Sequence, residues 1–403
     1  MANSAQHRRL RSRMSSPALA LIVLFGLGLV ATESARAQTF TVLYGFTGQS
    51  DGGHPYAGLI RDAAGSLYST TETGGDLSAC GGSGCGTVFK VDASGNETVL
   101  YGFMGWSYGE TPYAGVIRDK AGNLYGTTYW GGSGYYPYGE VFKVDTSGTK
   151  TVLYSFCSAQ NCVDGAYPYG GLIRDKAGNL YGTTLNGGSS SEGVVFKVGK
   201  TDTETVLHTF EGSDGAYPLD TSLIIDKKGN LYGVTQAGGT SNYGVVYKLS
   251  KGGIFTVLYR FSGGTDGCYP YGVVLRDKAG NLYGTTYGCG ASGYGTVYKL
   301  DSTGVETVLH SFTGSDGAHP YAGVIMDAKG NLYGDTYEGG TSGIGTVYEL
   351  DQKGVLTLLH SFAGSDGGYP YGGLVRDKGG NLYGTTYGGT SNDYFGSVWK
   401  LTP

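Results

Sequence analysis

Two carboxylates interrupt an otherwise regular pattern. Asp335 takes the place of the first threonine in a recurring Gly-Thr-Thr, and Glu338 follows three residues later. Paired carboxylates are what a glycosidase uses as acid and base, so Asp335 and Glu338 are the candidate catalytic residues. Surface drift between imperfect repeats is the simpler account, since spacing alone supplies no geometry for proton transfer. Glu72, Glu110, Glu140 and Glu349 are also off-pattern. Tyrosine and aspartate recur more regularly. Asp164, Asp266, Asp316 and Asp366 each head an Asp-Gly pair, and Tyr129, Tyr287, Tyr337 and Tyr387 each follow a Gly-x-Thr run. Tyrosine offers a flat face and a hydroxyl, and aspartate accepts hydrogen bonds from sugar hydroxyls. These eight residues are the candidate ligand-binding set. Asp-Gly turns and tyrosine packing between repeats form the structural alternative.

The remaining chemistry is sparse. Among the six histidines, His208, His310 and His360 stand at a tyrosine position of a strand-like run, and His54 and His319 precede prolines. Scattered in this way they make no metal site, and neither metal nor cofactor is expected. Six cysteines (Cys80, Cys85, Cys157, Cys162, Cys268, Cys289) show no CxxC spacing and read as disulfides. Local pairing, 80 with 85, 157 with 162 and 268 with 289, is the simplest arrangement. No GxSxG elbow, HExxH or P-loop is present.

What positions these residues is a repeat. YPYGGLIRDKAGNLYGTTLNGG begins at Tyr167, and close copies begin at His54, Thr111, Tyr217, Tyr269, His319 and Tyr369. Each is preceded by a TVLYSF-like run and followed by a GTVFKVD-like run. The β-branched and aromatic runs, bounded by Gly, Asp and Pro, read as strands. DKAGN reads as a hairpin turn with a glycine bulge. Its Asp, present as Asp62, Asp119, Asp175, Asp226, Asp277, Asp327 and Asp377, suits an Asx-turn better than calcium. Four strands per unit, seven times over, predict an all-β, seven-bladed β-propeller with four antiparallel strands per blade.

The phase of the repeat predicts how the ring closes. The chain offers an outermost-type strand first, Thr41 to Phe46, and a third-type strand last, Ser397 to Leu401. Pairing the two completes the seventh blade. The loops carrying the cysteines, the Asp-Gly pairs and the candidate tyrosines then share one face, called the top. The DKAGN turns and Arg61, Arg118, Arg174, Arg276 and Arg376 share the bottom, where each arginine reads as part of a solvated rim.

Residues 1–37 read as a signal peptide. Arg8, Arg9, Arg11 and Arg13 precede an apolar stretch, Ala18 to Val30, and Ala35-Arg36-Ala37 supplies a cleavage site. Residues 38–403 are then one propeller domain, exported to the periplasm or outside, with no transmembrane segment after signal removal. The formal charge of −5 becomes −9 once five Arg and one Glu are removed, which argues against nucleic acid as a partner.

DKAGNLYGTT, GTVFKVD and TVLYSF resemble the GloVer (Gloeo-Verruco) tandem repeat of exported bacterial proteins, over the whole mature chain. The resemblance implies an exported β-propeller and brings no catalytic residues with it. The resulting expectation is a monomeric binding or interaction scaffold whose ligand is a glycan or a cell-surface protein. An extracellular glycan hydrolase or lyase is the first alternative, and a purely structural envelope protein the second.

Overall fold

The computed structural model describes residues 38–132, 137–219, 222–388 and 395–402; the leader expected over 1–37 lies outside them. Seven four-stranded antiparallel sheets stand as blades, numbered here in chain order. In blade 2 the strands run Ile117–Arg118, Leu124–Thr128, Glu140–Val144 and Lys150–Ser155 from the axis outward. Closure follows the expected phase. Strand Thr39–Gly45 pairs with Ser397–Thr402, in register Phe40 with Leu401 and Val42 with Trp399. No helix of the described residues is long and apolar enough to cross a membrane.

The blades are held together at three radii. Farthest out, the phenylalanine ending each outermost run meets the third-strand aromatic of the next blade edge-on. Phe46 lies 5.0 Å from Phe89, Phe103 5.2 Å from Phe142 and Phe156 4.9 Å from Phe196. All six rings are buried, and each such burial is worth roughly 1.5–3 kcal/mol. Nearer the axis, the first threonine of Gly-Thr-Thr reaches across. Thr70, Thr285 and Thr385 donate to the carbonyls of Ala114, Ala322 and Ala57 at 2.9, 2.8 and 3.0 Å.

Along the axis the innermost strand is shorter than its GGLIRD run suggests, two residues such as Ile60–Arg61. Its glycines leave the ladder because neighbouring backbones crowd the centre. A Cβ on Gly58 would sit 2.0 Å from the Gly372 carbonyl, and one on Gly323 would sit 1.9 Å from the Val273 carbonyl. Only glycine permits that approach.

The bottom face differs from a simple solvated rim. Arg61, Arg118, Arg174, Arg276 and Arg376 each lie over a tyrosine of the preceding blade, at 5.3–5.6 Å from the ring centre. Such cation–π contacts clamp adjacent blades. The turn aspartates behave as Asx-turns. Asp119 accepts from the Ala121 and Asn123 amides through one oxygen, and from the Asn123 side chain and the Tyr125 hydroxyl through the other. Those bonds use the oxygens that a calcium ion would need.

Candidate functional site

Every top loop ends in a residue with left-handed backbone placed just before the proline. His54, Thr111, Tyr167, Tyr217, Tyr269, His319 and Tyr369 all have φ between 52° and 59°. That is costly for non-glycine residues, and the surroundings must over-determine it. They do so identically in each blade. The Tyr167 amide donates to the Tyr138 carbonyl of the preceding blade at 2.7 Å, and its own carbonyl accepts from the Leu185 amide at 2.9 Å. Sequence reasoning missed this strain, whose only sign was the fixed proline.

The constraint delivers the next tyrosine to the axis. Tyr56, Tyr113, Tyr169, Tyr271, Tyr321 and Tyr371 gather around the mouth of the central channel. Tyr56 stacks on Tyr371 at 4.2 Å and Tyr113 on Tyr169 at 4.4 Å. Tyr321 lies 4.6 Å from Tyr371 and 5.0 Å from Tyr271. Leu219 holds the seventh place in sequence. Beneath this ring is a cavity of about 240 Å³ lined by small residues, including Ala57, Gly115, Gly272 and Gly323, and bordered by Tyr56, Tyr321 and Tyr371.

A second ring surrounds the first, made by the residue after each second threonine. It contains the expected Tyr129, Tyr287, Tyr337 and Tyr387, with Glu72, Leu185 and Gln236 in the other three places. Each of the four tyrosines lends a face to the residue before a proline. Tyr387 stacks on His54 at 4.5 Å, Tyr287 on His319 at 4.6 Å and Tyr129 on Tyr167 at 4.9 Å, while Tyr337 meets Tyr369 at 5.1 Å. Hydroxyls link the two rings. Tyr371 is bonded to Tyr337 and Tyr321 to Tyr287, and the Gln236 amide donates to the Tyr271 hydroxyl at 2.8 Å.

Glu72 is the one acidic residue in these two rings. Burial pushes its carboxyl above the usual range, while hydrogen bonds from Tyr387 and Tyr113 pull the other way. Burial likewise raises Tyr387, to about 12, with the nearby Glu72 charge adding to the effect. His54, stacked on Tyr387, is lowered by burial. The mouth therefore presents hydroxyls, one amide and one carboxyl whose charged form burial disfavours.

The candidate aspartates are not gathered there. Asp164 accepts from the Tyr154 hydroxyl at 2.7 Å and from Ser158, and Asp266 accepts from Tyr259 at 3.1 Å and from Ser262. Asp316 and Asp366 are bonded to His310 and His360 at 2.9 and 2.8 Å. These carboxylates brace their own loops against the outermost strands. Asp335 and Glu338 also part company. Asp335 is 1% exposed, at the strand position from which Thr70, Thr285 and Thr385 reach the next blade, whereas Glu338 is half-exposed beside His319 at 3.8 Å. The disulfides are Cys80–Cys85, Cys157–Cys162 and Cys268–Cys289, as expected.

The model of the Gloeobacter/Verrucomicrobia repeat matches residues 24–224 and 220–403, and the chain belongs to that family. No curated protein matches it. Among solved structures it is similar to a virginiamycin B lyase from Staphylococcus aureus, with 11% identity, a TM-score of 0.59, and coverage of 91% of this chain and 99% of that one. It is also similar to the extracellular domain of a putative hybrid two-component system from B. thetaiotaomicron. There the identity is 13%, the TM-score 0.55, and the coverage 90% of this chain and 39% of that one. At such identities the likeness is one of fold.

Proposed function

We propose that this member of the Gloeobacter/Verrucomicrobia repeat family is an exported, monomeric binding protein that holds a neutral glycan at the tyrosine mouth of its propeller. The supporting observation is the double ring itself, in which ten tyrosines gather with Gln236 and Glu72 and several of their hydroxyls bond to one another, to the Gln236 amide or to the Glu72 carboxyl. Hydroxyl and amide groups both donate and accept, which matches a polyhydroxylated ligand. Tyr129, Tyr287, Tyr337 and Tyr387 contact it, and Asp164, Asp266, Asp316 and Asp366 serve by fixing the loops that frame it. Three disulfides fit an oxidising compartment reached through the 1–37 leader, and they hold the top loops in place before ligand arrives.

Glu72 favours a second reading, a glycan hydrolase or lyase in which its carboxyl moves a proton beside Tyr113 and Tyr387. A glycan array followed by titration calorimetry tests the first reading. Tyr287→Phe, Tyr337→Phe and Tyr387→Phe together keep the stacked rings and remove the hydroxyls, so affinity falls at least roughly tenfold, about 1.4 kcal/mol. Undiminished binding, or loss only on charge reversal of Arg174 and Arg276 at the bottom, sinks it. Release of new reducing or unsaturated ends by the parent, abolished in Glu72→Gln, establishes the second reading instead.

A further inference from the structure

One seam departs from the repeat in several coordinated ways. The loop between blades 1 and 2 reads Met104-Gly-Trp-Ser-Tyr-Gly-Glu110 where the other six carry Asp-Gly. In those six, the aspartate accepts from the outer-strand Tyr or His and from amides of its own loop, as Asp266 and Asp316 do. Here Tyr108 holds the aspartate position, and a buried ion pair of Lys150 with Glu140 replaces the lost support. The Lys150 ammonium donates to the Tyr108 carbonyl at 2.8 Å and lies 5.7 Å from the Phe103 ring centre. From the other side the loop leans on the Cys80–Cys85 disulfide, since a Cβ on Gly105 would meet its sulfurs at 3.1 and 3.2 Å.

What this support holds up is unfavourable for the folded state alone. Trp106 is 75% exposed and has left-handed backbone, with φ 50°. Tyr108 is 56% exposed. Desolvating an ion pair and straining a tryptophan outward each cost stability, and pinning both ends of the loop removes the ordering cost of later binding. The faces also differ from those at the mouth. There each stacked tyrosine has spent a face on a neighbour, whereas Trp106 and Tyr108 make no ring contact among the described residues. An aromatic path joins the two places. The Glu110 and Trp130 backbones pair at 3.1 and 3.2 Å. The Trp130 ring lies 5.2 Å from Tyr129, which in turn lies 5.4 Å from Tyr113.

We propose that the Trp106–Tyr108 turn is a stacking platform for an outlying sugar ring of a chain-shaped neutral glycan whose other end occupies the tyrosine mouth. This rests on the glycan reading above and specifies its ligand as an oligosaccharide rather than a single sugar. The polar Ser107, the tyrosine hydroxyl and the lack of a basic fringe on the 104–110 loop suit a sugar better than a lipid headgroup.

Tryptophan fluorescence reads the platform by difference between the parent and Trp106→Ala, because Trp106 is 75% exposed while Trp130, near the mouth, is 37% exposed and Trp399 is fully buried. Cello-, xylo- and chitohexaose and their monosaccharides are titrated into the full mature protein, with acrylamide quenching as a second readout. One hexaose is expected to shift the emission to the blue and protect it from quenching. Trp106→Ala, checked for an unchanged melting curve, should weaken hexaose binding at least roughly tenfold. Equal hexaose affinity of Trp106→Ala and parent overturns the platform and leaves the mouth reading standing. Loss of hexaose binding in Trp106→Ala with none in the Tyr287/Tyr337/Tyr387→Phe variant supports the platform and rejects the mouth. A blue shift with phosphatidylcholine vesicles and with no sugar overturns the proposal in favour of a lipid surface. Silence toward every probe overturns it as well.

Discussion

Replacing Asp335 with threonine should stabilise the protein, and by an amount that depends on pH. In blades 1, 5 and 7 the threonine hydroxyl at this position donates to the carbonyl after the mouth tyrosine of the next blade. The equivalent acceptor for Asp335 is the carbonyl of Gly372. An ionised carboxylate would set acceptor against acceptor, and neither carboxyl oxygen has a hydrogen-bond partner. Burial accordingly raises the carboxyl from 3.8 to about 7. A folded-state value above the unfolded one means that the group is harmless below pH 3.8. It then destabilises increasingly as pH rises, because the unfolded chain ionises first, and the penalty saturates above about 7. At about 1.36 kcal/mol per pH unit, the gap between parent and Asp335→Thr should widen by about 4 kcal/mol from pH 4 to pH 8. With roughly 0.8 kcal/mol/K of unfolding entropy for a body of this size, that is about 5 °C in Tm. Scanning calorimetry of both proteins across that range reads the difference, and other titrating groups cancel in it. A gap that stays constant from pH 4 to pH 8 would refute the assignment of a protonated acid at this seam.

Three further outcomes are expected. Glu97, Glu204 and Glu306 are each raised to about 7, by burial first and then by Asp51, Asp164 and Asp266 across the outer seams. Their seams should loosen as pH rises from about 4.5 to about 7, and changing all three to Gln should flatten the fall in Tm that remains in Asp335→Thr over that range; an unaltered slope speaks against it. Deleting residues 38–47 removes the strand paired with Ser397–Thr402 and bares a sheet edge, so light scattering should report aggregation, and a monomeric product with the parental Tm would contradict the closure argument. Changing Cys268 and Cys289 to Ser should cost roughly 3 kcal/mol, against about 2 for either short loop, measured by denaturant melts; equal costs for all three would tell against the loop-entropy account.

The repeat carried the fold. Alternating β-branched runs, a DKAGN turn at one end and Gly-Pro punctuation at the other specify four short strands whatever lies around them, because those signals act over a few residues. The unmatched strand runs at Thr41 and Ser397 implied closure by simple counting, and the even cysteines in local pairs implied the disulfides. Tertiary structure alone decided which recurring side chains meet. Asp164 and Asp366 recur as faithfully as the tyrosines, yet they turn back to Tyr154 and His360, since a nearby donor satisfies a carboxylate before a distant ligand can. Asp335 looked like a catalytic acid because it broke the pattern, but the pattern it broke was an inter-blade hydrogen bond. Trp106 stands more than thirty residues from Glu140 and Lys150 in sequence. That they form one propped turn follows from blade 2 folding back against the end of blade 1, which periodicity cannot express.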